Sequence, residues 1–516
     1  MLRPEIQNLI AFFVSREVPR KAEGPEDALE IYSATQQVDS AYESFRNLLD
    51  PGDEDVLRRK AIGRFINLRW DLADDGEKFA IALLRDLARG HYIPVTTSRS
   101  LAVEISVVLQ KAVRFMEHNN NQIPKWLLPM TAVEVDRIIY PRDGDDALVY
   151  FFFQEIEKKA IWKDDTIEDD IKNTQLFLAC HRVLAKTDEA ELFWHLYRTA
   201  EVSWQKSVLN DDELSLAVQN YDHLQREIET ALYSPMSVRV LRRLHSPAVP
   251  FRVLRDVLRQ PNAAAILTNN DLLASSVRDV LAKRIKKTEK QMIKRVWHAA
   301  AFIFLTKSVL AIGTEVPYEL FLGGVRLFPL LINLLFPPTL LFLMAGSVSR
   351  PGSDNTERIV RAIQMIASNG NGLPEVRILS TETNSFRKNM FGGLYILTAL
   401  VSLLVVVWVL SLIGFSILGG FYFIIFLGLV SFLGLRLRSA MREFRFVPKK
   451  QGFFSFIFDF LTVPVIDMGR EISIRASQIN IFLFIIDALI EAPFKVVLGL
   501  VEEWFSFVNE RKEDLV

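Results

Sequence analysis

The stretch FGGLYILTALVSLLVVVWVLSLIGFSILGGFYFIIFLGLVSFLGL, residues 391–435, decides the fold of this chain. It contains no charged residue over its whole length of 45 residues. A helix crosses the hydrocarbon core of a bilayer with about 20 apolar residues, so this stretch is long enough to cross twice. Gly414 lies near its middle, where a tight hairpin is needed. The sequence therefore predicts spanning helices at about 391–412 and 415–435, because a helix satisfies its own backbone groups in lipid.

Two further spanning helices are predicted upstream. Residues 327–349 are uncharged and predict a kinked helix, because two consecutive prolines remove backbone hydrogen bonds there. Residues 298–314 are also apolar but contain Lys307. The segment before residue 298 and the loop 350–390 are both rich in Lys and Arg, and such flanks stay in the cytoplasm. An even number of crossings must separate two cytoplasmic flanks, so residues 298–314 are predicted to span as well.

The topology follows from the same basic flanks. A further basic cluster comes after the second hairpin, at residues 436–450. Four crossings with both termini in the cytoplasm is the consistent solution. The N-terminal apolar run, Leu9 to Val14, is shorter than the core of a secretory signal, which has about 7–15 residues. We therefore expect the chain in the cytoplasmic membrane of a prokaryotic cell, with the lipid bilayer as its first partner.

The charges divide the chain into parts with different surroundings. The whole chain of 516 residues has a net charge of −1, which is typical of an ordinary soluble enzyme. Residues 1–230 carry −13, residues 231–300 carry +10 and residues 301–516 carry +2. We expect four parts: an acidic cytoplasmic helical domain at 1–230, a basic juxtamembrane collar at 231–297, a transmembrane region at 298–435 with the cytoplasmic loop 350–390, and an amphipathic interfacial tail at 436–516.

The acidic part is predicted to be all-α. Its apolar residues recur at the spacing of amphipathic helices, and period-two alternation is scarce. Breaks rich in Pro, Gly and Asn separate these patterns, which indicates a helical bundle or an irregular stack of helices. Acidic clusters precede several of the helices, for example at 143–146 and 211–213. None has the register of a calcium loop, so we assign them to helix N-termini, where carboxylates accept free backbone N–H groups.

The tail is predicted to lie in the membrane interface. Residues 453–460 hold a cluster of Phe around Asp459, and this segment is too short and too polar to cross a bilayer. From residue 478 a helical projection gathers the polar side chains into one narrow stripe opposite an apolar surface. Pro493 kinks or divides this helix. We expect it to lie in the interface or to pack on the spanning helices.

The basic collar offers a surface for anions. Its last helix is expected from about Asn270 to Trp297 and carries a cluster of cationic side chains: Lys283, Arg284, Lys286, Lys287, Lys290, Lys294 and Arg295. Such a stripe suits the phosphates of nucleic acid, the headgroups of anionic lipid or a plain topology signal. Because the stripe ends where an apolar segment begins, we expect contact with anionic lipid headgroups and no nucleic-acid partner.

Three ionisable residues are expected at or near membrane depth: Lys307, Glu315 and Glu319. Ionisable groups in such places are costly and often mark an ion or proton path. Glu315 and Glu319 share one helix face by their i, i+4 spacing, unless Pro317 reorients the chain. The alternative is that Lys307 snorkels to the interface or pairs within the helices, and that both Glu residues lie in the outer loop. A pore through four-span chains would require a homo-oligomer.

No catalytic signature accompanies these segments. The His residues form no zinc-binding pattern, and phosphate-binding loops and nucleophile elbows are missing from the sequence. Cys180 is expected to be a buried structural residue, and no metal or cofactor is expected. The sequence therefore predicts a non-enzymatic, multi-pass membrane protein whose domain at 1–230 binds other proteins. A transporter or channel subunit that uses Lys307, Glu315 and Glu319 is the alternative.

Overall fold

A computed structural model describes most of the chain. The described residues are 2–14, 54–70, 73, 75–163, 166–346, 351–368, 372–378, 385–446 and 453–478. The polar stripe predicted beyond residue 478 lies outside these ranges. Helices make up most of the described residues, so the all-α prediction is confirmed. The chain forms two compact units.

The first unit, called the helical unit below, contains the described residues within 8–157 and 166–242. A π-helical turn, His181–Ala185, extends one of its helices, and a 3₁₀ turn, Val202–Gln205, follows another. Its helices are α2 (Glu54–Leu68), α3 (Gly76–Arg89), α4 (Leu101–His118), α5 (Leu127–Ile139), α6 (Asp143–Glu157), α7 (Asp169–Cys180), α8 (Glu189–Ala200) and α9 (Asp211–Leu232), with α1 (Pro4–Val14) and α10 (Pro235–Leu244) at its ends.

Two apolar cores hold the helical unit together, and α5 contributes to both. One core gathers side chains of α2, α3, α4 and α5 around Phe65 and Phe79. The other gathers α4, α5, α8 and α9 around Phe193 and Tyr197, where the rings of Trp126 and Phe193 stack with centroids 4.7 Å apart. Aromatic side chains contribute large buried areas, so these two cores provide most of the apolar burial in this unit.

Acidic clusters of the sequence lie at the N-termini of several of these helices. The residues at 143–146 and 211–213 lie in the first turns of α6 and α9, which confirms their assignment to helix starts. At α9 the side chain of Asn210 accepts from the backbone N–H of Glu213 at 2.8 Å, and the Glu213 carboxylate accepts from the backbone N–H of Asn210 at 3.1 Å. Such a reciprocal capping box stabilises the first turn of a helix.

The second unit, called the apolar unit below, contains the described residues within 2–7, 158–163 and 243–478. Its helices are α11 (Ala248–Leu258), α12 (Ala263–Thr268), α13 (Asn270–Leu310), α14 (Val316–Phe321), α15 (Leu327–Gly346), α16 (Ser353–Ser368), α17 (Ser385–Ile413), α18 (Ile417–Arg442) and α19 (Phe453–Gln478). A short parallel pair of strands, β1 (Ala160–Trp162) and β2 (Val376–Ile378), belongs to the same unit. Strands of three residues are too short to leave a period-two pattern, so the sequence did not indicate them.

Four helices of the described chain are long and apolar enough to cross a membrane. They correspond to the predicted spans at 298–314, 327–349, 391–412 and 415–435, and they run over Asn270–Phe321, Leu327–Gly346, Asn389–Ile413 and Ile417–Leu437. Most of each apolar window faces outward from the protein, with between 17% and 33% of it buried. Soluble proteins rarely expose large continuous apolar surfaces to water. Four apolar helix windows that face outward are therefore typical of helices surrounded by lipid.

The first of these helices differs from the prediction in its extent. We expected a break near Trp297 between the collar helix and the first span, but α13 runs through this position. A π-helical turn, Ala311–Glu315, then joins α13 to α14, and together they form 52 continuous helical residues. Pro317 is the second residue of α14, directly after the π-helical turn, and the helical run continues through it.

The tail helix α19 packs against the candidate spanning helices. It contacts both α17 and α18, which themselves make few contacts with each other. The closest approach is between Gly469 of α19 and Gly428 of α18, where a Cβ on Gly469 would overlap the carbonyl oxygen of Gly428. Only glycine permits two helix backbones to come so close. Gly428 lies near the middle of its apolar helix, so α19 packs against the middle of α18.

Candidate functional site

Two of the three ionisable residues singled out in the sequence meet inside the apolar unit. Lys307 comes from α13, Glu315 from the π turn that follows it, and Asn333 from α15 lies between them. All three side chains are almost completely removed from the surface, with Lys307 and Asn333 each 1% exposed and Glu315 2% exposed. The cluster formed by these three residues is called the buried polar cluster below.

Asn333 connects the two charges through its amide group. Its Oδ1 accepts a hydrogen bond from Nζ of Lys307 at 2.5 Å, and its Nδ2 donates to Oε1 of Glu315. The same Nδ2 lies 3.3 Å from the carbonyl oxygen of Gly419 at the start of α18. An amide that donates on one side and accepts on the other suits a position between a cation and an anion. The bridge therefore joins α13, the π turn, α15 and α18.

Local packing explains why these residues can meet. Two aromatic rings of α18 face the ammonium of Lys307, with Nζ 4.7 Å from the ring centroid of Phe426 and 5.8 Å from that of Phe423. Cations are attracted to aromatic faces, so the rings replace part of the lost hydration. Position 419 is tightly packed, because a Cβ there would lie 2.5 Å from Oε1 of Glu315 and would displace that carboxylate from its contact with Asn333.

Glu319 follows Glu315 by four residues and is also buried, but it has other partners. Its Oε2 accepts from the backbone N–H of Arg326 at 2.9 Å, and the Arg326 side chain donates to the carbonyl oxygen of Gly414 at 2.9 Å. Glu319 thus holds the connection before α15, and Arg326 ties that connection to the turn between α17 and α18. The predicted triad of ionisable residues is therefore divided into a Lys307–Asn333–Glu315 bridge and a separate Glu319 contact.

The cationic residues of the collar lie on α13 upstream of this cluster. Arg284 pairs with Asp256 of α11, and its side chain is partly buried. The other members of the predicted stripe are exposed: Lys283, Lys286, Lys287, Lys290, Lys294 and Arg295. These exposed cations are followed directly by the apolar part of α13. Both features on which we based the prediction of contact with anionic lipid are therefore present.

The helical unit contains a cavity that sequence reasoning missed. Its volume is about 450 Å³, and it lies between α4, α5, α6, α8 and the segment around the 3₁₀ turn. Cavities of this size are typical of small-ligand and peptide-anchoring sites. Charged and aromatic side chains predominate in its lining: Glu104, Lys111, Glu134, Arg137, Asp143, Asp146, Trp194, Arg198, Trp204 and Lys206.

Glu134 organises one wall of this cavity. Its Oε1 accepts from the indole N–H of Trp194 at 3.1 Å and from that of Trp204 at 2.7 Å. Its Oε2 lies 2.7 Å from Nζ of Lys111, and that ammonium also stands over the ring of Trp204, 4.6 Å from the centroid. With three donors around one carboxylate, this wall is fixed before any ligand arrives.

Two arginines and a perturbed carboxyl also line this cavity. The guanidinium groups of Arg137 and Arg198 lie over the ring of Trp194, 4.7 Å and 5.1 Å from its centroid. Arg137 also pairs with Asp146. Burial, with a contribution from nearby Glu191, raises the pKa of the Asp146 carboxyl to about 6 although Arg137 opposes the rise. Arg198 has no carboxylate partner among the described residues, so its donors are open to a ligand.

Two histidines lie close together beside this cavity. The ring centroids of His181 and His195 are 4.4 Å apart, and Nε2 of His195 is 3.9 Å from Oδ1 of Asp146. Burial lowers the pKa of both rings, that of His181 to about 3, so both are neutral at physiological pH. Cys180 is fully buried as expected, and burial raises the pKa of its thiol. No three His, Cys, Asp or Glu residues within the described ranges form a group that could hold a metal ion.

An exposed apolar rim adjoins the cavity. Val103 is 60% exposed and stands four residues before Val107, which lines the cavity on the same face of α4. Val208 is 66% exposed and directly follows Ser207, another lining residue. Single exposed apolar residues are common on protein surfaces, so the interest of these two valines is their position beside lining residues of the cavity.

Comparisons with known proteins do not add a family to these observations. No protein-family model, curated protein or solved structure matches this chain.

Proposed function

We propose that this chain is a multi-pass integral membrane protein whose helical unit is a cytoplasmic interaction module. The four apolar helices and the cationic stripe at the start of the first one support membrane insertion. By the distribution of Lys and Arg, both termini and the helical unit lie in the cytoplasm. Insertion through four helices anchors the module at the membrane surface.

The observation that carries the interaction role is the preformed cavity with its apolar rim. Its tryptophans are held by Glu134, so binding costs little ordering of the site. Arg198 offers unpaired donors inside the cavity, while Val103 and Val208 offer apolar area outside it. Aromatic and Arg side chains are the residue types that contribute most to binding at protein interfaces. A peptide segment with an acidic side chain and apolar neighbours fits this combination.

A variant pair tests this role in the full-length protein. Val103→Asp and Val208→Asp together replace the apolar rim by charge, and Val238→Asp is the control at a residue that is 50% exposed and does not line the cavity. Membranes that carry each form are solubilised, and co-purifying proteins are quantified by mass spectrometry. We expect a protein set that is captured by the wild type and the control but lost from the rim variant. Identical sets from all three forms would contradict the proposal.

The second candidate function is transport of a proton or small cation. It is favoured by the buried polar cluster, because a continuous Lys–Asn–Glu connection within apolar helices is a plausible element of an ion path. The observations on the cluster also fit a static contact among helices, since Lys307 is enclosed by Asn333 and aromatic rings. We therefore rank transport second.

Proteoliposomes distinguish these two candidates. Lys307→Met, Glu315→Gln and Glu319→Gln remove the charges one at a time, and Thr339→Val is a control at an exposed position of α15. Flux of protons or monovalent cations that depends on the wild-type protein and disappears in the first two variants would favour transport. Absence of protein-dependent flux in the wild type would leave the interaction module as the function.

A further inference from the structure

One face of α13, called the lysine face below, changes from cationic to apolar along the helix. Four exposed lysines and a tryptophan share this face at positions i, i+4, i+7, i+11 and i+14: Lys283, Lys287, Lys290, Lys294 and Trp297. The exposed residues Ala301 and Leu305 continue it toward the apolar end. Because α13 is helical without a break from Asn270 to Leu310, each lysine lies at a fixed distance along the helix from the apolar part.

The positive charges of the lysine face are not neutralised within the described part of the chain. None of its four lysines forms an ion pair there, whereas Arg284 on another side of α13 pairs with Asp256. Residues 280–297 contain a single acidic residue, Glu289. Like charges four residues apart destabilise a helix, so an anion bound on this face would relieve the repulsion among the lysines.

Trp297 lies where the lysine face becomes apolar. Its side chain is 62% exposed, and its ring contacts that of Phe342 with centroids 4.9 Å apart. Phe342 lies near the end of α15, which precedes the basic loop 350–390. The ends of two candidate spans that face the basic segments therefore meet at this pair of rings. Tryptophan is enriched at the level of lipid headgroups, so we place the cytoplasmic boundary of the membrane at Trp297.

The rise of the helix decides which lysines can reach the headgroups. Lys294 lies about 4.5 Å and Lys290 about 10 Å from Trp297 along the helix axis, whereas Lys287 lies about 15 Å and Lys283 about 21 Å away. The headgroup layer of one leaflet is about 5–8 Å thick. The long side chain of Lys290 can span the remaining distance. For the upper two lysines the gap is close to or beyond the screening length of about 8 Å at physiological salt.

We propose that Lys290, Lys294 and Trp297 bind the headgroup of an anionic phospholipid in the cytoplasmic leaflet, and that Lys283 and Lys287 lie beyond its reach. This inference rests on the proposed membrane insertion. The two ammonium groups attract the negative headgroup, and the apolar surface beyond Trp297 contacts the acyl chains. Lipid fits better than nucleic acid, because the cationic face continues directly into an apolar one. The unbroken helix thus confines to its lower part a contact that the sequence suggested for the whole stripe.

A photoreactive lipid tests the site on the wild-type protein. The full-length chain is reconstituted into phosphatidylcholine nanodiscs that contain a phosphatidylglycerol with a diazirine on its headgroup, and cross-linked residues are mapped by mass spectrometry. A phosphatidylcholine with a diazirine on its headgroup is the neutral comparison. We expect the anionic probe to label residues 290–297 at least about fivefold more than the neutral probe, and to show no excess at 280–287. Equal labelling of 290–297 by both probes, or an equal excess over 280–287, would overturn the proposal.

Two double variants compare the lower and the upper lysines. Lys290→Gln with Lys294→Gln removes two charges at i, i+4 spacing, and Lys283→Gln with Lys287→Gln removes the same charge at the same spacing farther from Trp297. We expect the lower pair to reduce anionic labelling of 290–297 about tenfold, and the upper pair to change it less than twofold. Equal losses from both pairs would overturn the assignment. The wild-type map is independent of how well either variant folds.

Two controls separate this inference from other partners and from the proposed insertion. A short single-stranded RNA, added at physiological salt, should leave the labelling of 290–297 unchanged, and displacement of the lipid by RNA would assign the lysine face to nucleic acid instead. Wild-type protein that resists extraction by alkaline carbonate but shows no preference for the anionic probe would overturn the lipid site alone. Extraction by carbonate would overturn the insertion, and with it the lipid site.

Discussion

At the residue scale, Asn333 determines how two buried charges are accommodated in the apolar unit. It is the only described side chain that hydrogen-bonds to both Lys307 and Glu315. A buried charge without a partner is very costly, so the amide stabilises the cluster mainly by avoiding that cost. Its sequence position inside an uncharged helix gave no indication of these partners.

Replacement of this amide should destabilise the protein strongly. Asn333→Leu keeps the branching of the side chain but removes its donor and acceptor, so both charges lose their bridge, and we expect the free energy of unfolding to fall by about 3 kcal/mol. The measurement is denaturation in mixed micelles, followed by circular dichroism. Thr339→Val on the same helix is the control, because Thr339 is exposed and bonds only within α15. Equal stability of Asn333→Leu and this control would refute the bridging role.

Asp146 is a residue whose protonation should affect stability. Burial raises the pKa of its carboxyl to about 6 from the ordinary 3.8. The folded state therefore binds the proton more tightly than the unfolded state, and this contribution to stability is full below about pH 4 and is lost as the pH rises through about 6. Asp146→Asn cannot titrate.

The pH dependence of thermal unfolding tests this assignment in detergent solution. We expect the stability of the wild type relative to Asp146→Asn to decrease as the pH rises from 4 to about 6, and then to level off. Asp222→Asn, at an exposed residue of α9 that does not contribute to this shift, is the control and should follow the wild type. A constant difference between wild type and Asp146→Asn across this window would contradict the raised pKa.

At the scale of elements, the contact between α18 and α19 depends on two glycines. Gly428 and Gly469 allow the two backbones to approach closely, and a Cβ on Gly469 would overlap the carbonyl group of Gly428, whereas a Cβ on Gly428 would lie about 3.0 Å from the Met468 side chain. The sequence placed α19 in an interfacial tail, because its charged residues argue against a spanning helix. Tertiary packing places part of this tail against the candidate spans, and its position relative to a membrane interface stays a prediction.

A bulky substitution at this contact should release the tail helix. Gly469→Leu is expected to lower the free energy of unfolding by about 3 kcal/mol, at the upper end of the range for overpacked sites. It should also increase proteolytic cleavage within 453–478, which limited trypsin digestion in nanodiscs measures. Gly393→Leu is the matched control, since a Cβ there meets no atom within 4 Å. Cleavage at wild-type rates in Gly469→Leu would argue against the close packing.

At the scale of the whole molecule, the basic flanks predict which connections face the cytoplasm. The connection between α14 and α15 should lie outside, and the start of α16 should lie inside. Cys180 is fully buried, so cysteines introduced elsewhere can be labelled against a low background.

Labelling of intact cells with a membrane-impermeant maleimide tests this topology. We expect Leu322→Cys, which is 60% exposed in the connection before α15, to react in intact cells. Ser353→Cys, at the exposed start of α16, should react only after the cells are opened. Reaction of Leu322→Cys only after opening would rule out the four-span arrangement.

Much of the architecture could be predicted because it depends on local patterns. The positions of the apolar helices follow from uncharged runs such as 391–435, and the helix starts at 143–146 and 211–213 follow from capping chemistry. The continuity of α13 through Trp297 could not be predicted, because a change in polarity along a helix does not require a break in its backbone. The strand pair was equally hidden, since β1 and β2 are distant in sequence.

The sequence by itself determined the helical class, the apolar segments and the residues with unusual charge, because each of these depends on composition or on neighbours within a few turns. Only the tertiary structure decided the partners. It joined Lys307 to Glu315 through Asn333, gave Glu319 a different contact, and built a cavity around Glu134 from four helices and a short turn. These contacts join residues of different helices, turns and connections, and their geometry depends on how whole helices pack.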